Sequence, residues 1–295
     1  MNVRGILYLI VVYFVWGSTY LGIRVAVREG SGFPPFTMAT TRVFVAGILL
    51  LSWAAFARRA VKVNRRELAV LFISGNLLWL GGNGLVTWAE QTAESAYSSL
   101  LIASMPLWVA MMEAGIDRRR PTMRLVGALL VGLTGVGVLN GPVILAGSGQ
   151  DLFAAVALIT AAISWGLGTI YQKRKALTSH PEASAGFQHL FGSMGLLTVA
   201  LLSGEPHPAP IPQAWAAWGY LIIVGSIIGF TSFVKAVRLL PINIVMTYAY
   251  VNPLVAMLLG WLILGEPITR WTVGGSALII LGVMGVFHER RPVKR

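Results

Sequence analysis

The chain has no cysteine and little charge: Asp and Glu together number 11, and charged residues make up only 12% of 295. Without cysteine there is no disulfide framework and no thiolate metal site. With a hydrophobic share of 56% and a mean hydropathy of +0.73, a soluble domain of this length is excluded, because its surface would lack the polar groups that water requires. The phosphate loop GxxxxGK[ST] of a nucleotide-driven pump is also missing, so any work done here draws on a gradient or on the substrate itself. No His, Asp and Glu cluster stands at metal-ligand spacing, and nothing in the chain calls for a cofactor.

What the chain has in abundance is apolar runs long enough to cross a hydrocarbon core, which takes roughly 20 helical residues. They lie near 5–27, 35–57, 67–88, 95–116, 123–141, 151–171, 184–203, 214–234, 242–263 and 270–288. The strict apolar–polar alternation of barrel strands is absent, so the expected fold is an all-α integral membrane protein of ten transmembrane helices, each satisfying its own backbone. The first run has no small-residue cleavage site and reads as a retained helix, not a signal peptide.

The net charge of +12 would suggest nucleic acid in a soluble protein. Here position decides. If the runs alternate direction, Arg4, Arg58, Arg59, Lys62, Arg65, Arg66, Arg118, Arg119, Arg120, Arg124, Lys173, Arg174, Lys175, Lys235, Arg238, Arg290, Arg291, Lys294 and Arg295 all fall on one side. The positive-inside rule makes that side the cytoplasm, with both termini there, and the partner a lipid bilayer. No nucleic-acid role is expected.

An internal repeat runs through the chain. Trp16-Gly17 recurs as Trp165-Gly166, and an offset of 147 brings Ala89 onto Ala236, Pro106-Leu107 onto Pro253-Leu254, Val126-Gly127 onto Val273-Gly274 and Gly135-Val136 onto Gly282-Val283. Two five-helix repeats follow, 1–145 and 146–295. Five is odd, so the second is expected to enter the bilayer inverted. The corner that reads DRRRPT at 117–122 reads LGEPIT at 264–269, one cationic and one acidic, as opposite sides require. Inverted repeats of this kind place a substrate site near the midplane between halves and suggest alternating access.

WGSTYLGIR at 16–24, GNGLVTWAEQ at 82–91, the Ser164-Trp165-Gly166 triplet, YAYVNPLVAMLLG at 248–260 and LGEP at 264–267 together resemble the EamA-type exporters of the drug/metabolite transporter superfamily, over the whole chain. The resemblance implies a bacterial inner-membrane exporter of small metabolites, often amino acids. It also implies a central cavity between spans one to four and six to nine, with the fifth and tenth spans peripheral.

Helical spacing then selects candidate residues. Tyr13, Trp16, Tyr20 and Arg24 share one face of the first span. In span three, Asn76, Trp79, Asn83, Thr87 and Glu90 recur at steps of three and four, and amides this deep are expected to face protein or water. Gly81, Gly82 and Gly84 beside them permit a close backbone approach or a broken helix. Trp16, Trp79, Trp108, Trp165, Tyr97, Tyr248 and Tyr250 lie away from the interfacial belts and suit the walls of an organic substrate site, with packing inside the core as the competing role. Arg42 is the deepest fixed cation, placed to hold a carboxylate or to pair internally, with Glu90 the expected partner. His189 suits either a site or helix packing. Proton coupling, if any, would fall on Glu90, Glu113 or His189. Glu266 reads as a structural cap. Pro106 and Pro253 remove backbone bonds at matched positions and fit a paired hinge or a static bend. Gly127, Gly132, Gly135, Gly137 and Gly141 suit close packing of span five, within the chain or across a homodimer.

An enzyme is disfavoured, since His189 and Ser193 sit one turn apart on one helix with no third group to orient them. A channel lacks a filter-like repeat or a ring of one charge. The expected function is a secondary carrier exporting small amphipathic metabolites, amino acids first, with xenobiotic export or passive conduction as alternatives.

Overall fold

The computed structural model describes residues 2–59, 61–93, 95–145, 152–175, 177–264 and 268–289, and every regular element in them is helical. The chain runs α1 (Val3–Val27), α2 (Pro35–Phe56), α3 (Arg65–Gly75), a π-helical segment (Asn76–Gly84), α4 (Leu85–Ala89), α5 (Ser95–Ile102), α6 (Met105–Asp117), α7 (Met123–Leu139) and α8 (Gly141–Leu145). It continues with α9 (Leu152–Arg174), α10 (Pro181–Leu202), α11 (Pro212–Tyr220), a second π segment (Leu221–Phe230), α12 (Thr231–Leu239), α13 (Ile242–Val245), α14 (Tyr248–Leu264) and α15 (Arg270–His288). Among the described residues, eight helical runs are long and apolar enough to cross a membrane, and Met123–Leu139 and Ile242–Val255 are shorter apolar helices between them. The result is a ten-helix membrane protein. Glu266 and the last basic residues, from Arg290 on, lie outside the described residues.

Polar side chains mark where spans start. Asn2, Asn64, Thr122 and Thr269 each accept a hydrogen bond from a first-turn amide, and Asn64 with Glu67 forms a capping box. We call the side where α1 begins the near face and the side where it ends the far face. On the far face α2 lacks a cap of its own, and Glu205, from the loop after α10, accepts from the amides of Phe36 and Thr37 at 2.8 and 2.7 Å. On the near face the relation is reversed. Glu182, in the first turn of α10, meets Arg59, from the loop after α2, at 2.5 Å. Each of these two packed helices is therefore tied at its start by the loop that ends the other.

Helices α7 and α15 form a second close pair at the edge of the bundle. A Cβ added at Gly282 would lie 2.5 Å from the Gly132 nitrogen, and one at Gly135 would lie 2.6 Å from the Ile279 nitrogen, so glycine sets the crossing distance. Gly132 also faces Tyr250 and Gly141 faces Trp271, whereas Gly127 and Gly137 meet nothing within 4 Å. Gly282→Leu is expected to pry this pair apart, at a cost of about 1–3 kcal/mol, read as a lower melting temperature in detergent. An unchanged melting curve would mean that the crossing is loose.

Two local features depart from plain α-helix. The third and eighth spans each widen into a π segment at their centre, a geometry frequent at functional sites. Gly81, Gly82 and Gly84 leave the third span continuous. They bring it against Ser164, Trp165 and Leu196, whose atoms lie 2.2, 2.7 and 2.7 Å from where a Cβ would stand. The fourth span breaks between Ile102 and Met105, so Pro106 falls in the first turn of α6, where its missing N–H is an orphan anyway. Pro253 lies inside α14. The two prolines match in sequence, yet one starts a helix and the other lies inside one.

A candidate substrate chamber

The stripe on α1 bonds to three other spans. The Tyr13 hydroxyl lies 2.6 Å from that of Thr247, and the Trp16 indole donates to the Gly225 carbonyl at 3.1 Å. The Ser18 hydroxyl lies 2.5 Å from that of Tyr220, and Tyr20 lines the central chamber together with Asn252. Arg24 donates to the carbonyls of Glu90 and Gln91 at 2.7 and 2.9 Å. These groups leave lipid because they have partners inside the bundle.

At the centre is a small chamber of about 60 Å³. Its polar and aromatic lining is Trp16, Tyr20, Arg42, Trp79, Asn83 and Trp165, with Thr19, Tyr248 and Asn252, and its apolar lining includes Val86, Ile102 and Met105. Spans one, two, three, four, six and nine supply these walls; seven and eight stand behind them. The α1 residues that take part, Trp16 to Ile23, all lie in its far half, so the chamber runs from mid-bundle toward the far face.

Its floor is aromatic. Trp16 meets Trp165 edge-on at 5.3 Å and Tyr248 at 5.0 Å, and lies 5.0 Å from Phe233, while Trp165 lies 5.6 Å from Phe233. Below the floor Leu9, Val12, Phe233, Val237, Leu240, Val245 and Met246 are at most 2% exposed, which closes the near side. Each tryptophan of the floor is followed by a glycine that admits a neighbour. A Cβ on Gly17 would lie 2.6 Å from Val255 Cβ, and one on Gly166 would lie 2.7 Å from Val109 Cγ2.

Arg42 is buried. Its Nε donates to the Ser226 hydroxyl at 3.0 Å, its Nη1 reaches Asn83 Oδ1 at 3.4 Å, and its Cζ sits 5.6 Å over the Trp79 ring. The expected pair with Glu90 is not formed. Glu90 is fully buried, and it is its backbone carbonyl, with that of Gln91, that meets a cation, Arg24.

The remaining candidates stand off the chamber. Asn76 turns back to the Phe72 carbonyl at 2.9 Å and packs at Gly195 of α10, because the wider π turn carries it off the stripe that an α-helix would give. His189 packs between Trp79, tilted at 4.3 Å, and Phe230, edge-on at 4.8 Å, with Nδ1 at 2.7 Å from the Ala185 carbonyl, behind the wall. Trp108 donates to Ser104 at 3.1 Å, Tyr250 donates to the Leu129 carbonyl on α7 at 2.8 Å, and Tyr97 packs on the main core. Asn252 and Ser226 escaped the sequence reading. A lone amide or hydroxyl within an apolar run is the signal that would have found them.

One device occurs at both faces. Arg24, in the last turn of α1, caps the carbonyls that end α4 at the far face. Lys173, in the last turn of α9, donates to the carbonyls of Val237 and Leu240 that end α12 at the near face, the latter at 2.6 Å.

A ten-helix bundle around a buried, aromatic, partly polar chamber suits a membrane transport protein. The chain belongs to the EamA-like transporter family, whose model matches residues 3–141 and again 152–288. It is 33% identical to the "Uncharacterized inner membrane transporter YedA" of Escherichia coli (strain K12), over 94% of this chain and 88% of that one. It is 25% identical to the "Uncharacterized transporter YoaV" of Bacillus subtilis (strain 168), over 99% and 100% of the two. A solved chain described only as "Crystal structure of protein" superposes with a TM-score of 0.79 at 20% identity, covering 99% of this chain and 100% of that one, and so shares the fold.

Proposed function

We propose that the protein is a secondary carrier that exports small metabolites, amino acids first among them, by alternating access between two inverted halves, 1–145 and 146–295. One observation carries this reading: equivalent parts of the two halves do the same job at opposite faces. Trp16 and Trp165 meet at the centre; Gly17 admits Val255 where Gly166 admits Val109; Arg24 caps the end of α4 within the first half at the far face where Lys173 caps the end of α12 within the second at the near one. The π segments at Asn76–Gly84 and Leu221–Phe230, and the 22-residue helices that open on Pro35 and Pro181, recur at nearly the same offset. Rocking one half against the other would open the chamber to each face in turn. The basic loops at the near face favour the cytoplasm there, so the chamber is shut toward the cytoplasm in the present state. The protein then sits in the bacterial inner membrane with both termini inside.

In proteoliposomes, counterflow of pooled labelled amino acids is expected to saturate with concentration, with or without a pH gradient. Flux that rises linearly without limit would mark a channel, and turnover into product would mark an enzyme. The aromatic floor also fits a cationic aromatic xenobiotic. Dye efflux without amino-acid counterflow would select that reading.

A further inference from the structure

Arg42 stands seven residues into PFTMATTR, a span where leucine would serve lipid better. A guanidinium moved out of water is strongly unfavourable unless an anion or several acceptors meet it. Here it is 2% exposed, and among the described residues no carboxylate pairs with it. Of its five N–H groups, one reaches Ser226 at 3.0 Å and another reaches Asn83 at the long distance of 3.4 Å. The site has been kept clear for it: a Cβ on Gly225 would lie 3.1 Å from Nη2.

The same chamber holds further unsatisfied donors. The indole N–H groups of Trp79 and Trp165 are buried without a hydrogen-bond partner, although both rings line the cavity. Buried donors without acceptors are rare in native proteins and call for an explanation. A planar carboxylate accepts two parallel N–H groups from a guanidinium. One fixed cation inside aromatic walls matches a monoanion better than a phosphate dianion, which would keep uncompensated charge.

Resting on the carrier reading above, we infer that the substrate bears a carboxylate and that Arg42 is its anchor, with Ser226 and Asn83 as positioning residues for the guanidinium. The consequence for transport is electrostatic. An empty chamber keeps an uncompensated cation that resists being sealed from water, whereas the loaded one is neutralised and closes. Exchange is thereby favoured over return of the empty carrier.

The test uses the purified full-length chain with leucine, phenylalanine and tryptophan, each beside its amide and the amine left by decarboxylation, and with inorganic phosphate. Binding is read by thermal shift and by radiolabel, and counterflow in proteoliposomes. The acids are expected to bind about ten- to a hundredfold more tightly than the matched amides and amines, the range for hydrogen bonds to a charged partner. Arg42→Gln should level the three, Arg42→Lys should restore part of the preference, and Ser226→Ala should weaken the acids while leaving the amides unchanged. The acid-to-amide comparison in the unaltered protein needs no variant to fold. Equal binding of acid, amide and amine, binding of phosphate alone, or binding of none of the probes overturns the anchor. Acid-selective binding through Arg42 without flux would keep the anchor and sink the carrier, whereas equal flux of amides and acids would do the reverse.

Discussion

Glu182→Ala is expected to open the near face. Its side chain is only 6% exposed at the first turn of α10, and it gathers Arg59 at 2.5 Å, Lys235 at 2.7 Å and His180. One carboxylate thus joins the loop after α2, the start of α10 and the body of α12. Without it the cations repel one another over a helix start that already carries positive potential. Removing one partner of a buried pair costs about 3–5 kcal/mol; Arg59 and Lys235 keep 33% and 23% exposure, so the low end, about 3 kcal/mol, applies. A shift of that size changes the closed-to-open ratio by about a hundredfold. The chain has no cysteine, so a single Leu9→Cys beneath the chamber floor reports access from this side alone. Maleimide labelling there should be slow in the parent and at least about tenfold faster with Glu182→Ala. Glu182→Gln, which keeps the shape and loses the charge, should fall between. Equal labelling in all three would show that packing below the floor closes this face without the ion pairs.

The ten spans were legible because a run of roughly 20 apolar residues has few other destinations, and the peripheral place of the fifth and tenth spans followed from family resemblance. Within the site, Trp16, Tyr20, Arg42, Trp79, Asn83, Trp165 and Tyr248 were legible, as polar or aromatic groups at helical spacing in oil, and they share one chamber. The π segments were not. Asn76–Gly84 has the composition of any glycine-rich α-helix, so its wider turns leave no mark in the sequence, although its glycines meet close neighbours in the fold. One widened turn was enough to send Asn76 toward α10 while Asn83 kept the chamber. Tyr250 and Trp108 mark a second limit. Periodicity tells which residues share a face, but not which neighbour that face meets, and Tyr250 faces Gly132 of α7 instead of the chamber. Arg24 and Lys173 mark a third, since capping another span's carbonyls leaves no local pattern.

Trp165→Ala is expected to remove the barrier between the chamber and the near face. The indole is 8% exposed and rests against the Gly82 backbone, where a Cβ would lie 2.7 Å from its ring, and it holds Trp16, Trp79, Phe230 and Phe233 within 6.2 Å. Truncating a buried tryptophan costs about 3–5 kcal/mol in lost contacts and cavity. In this place the new space joins a chamber that already exists, so water can fill part of it and the loss of stability should lie near about 3 kcal/mol. Function should suffer more than folding. With the edge-to-face contact to Trp16 gone, substrate passes the floor without the halves rocking, and counterflow loses its saturation. Trp165→Phe keeps a ring against Trp16 and Phe233, so saturation should survive with a loss of about 1 kcal/mol. Trp108→Ala is the control. That ring is half-buried on α6, bonded to Ser104 and off the chamber, so its removal should lower the melting temperature while the flux still saturates. If Trp165→Ala and Trp108→Ala behave alike, Trp165 is packing and the floor lies elsewhere; if only Trp165→Ala turns a saturable carrier into a leak, the meeting point of the two Trp-Gly pairs is the closed gate.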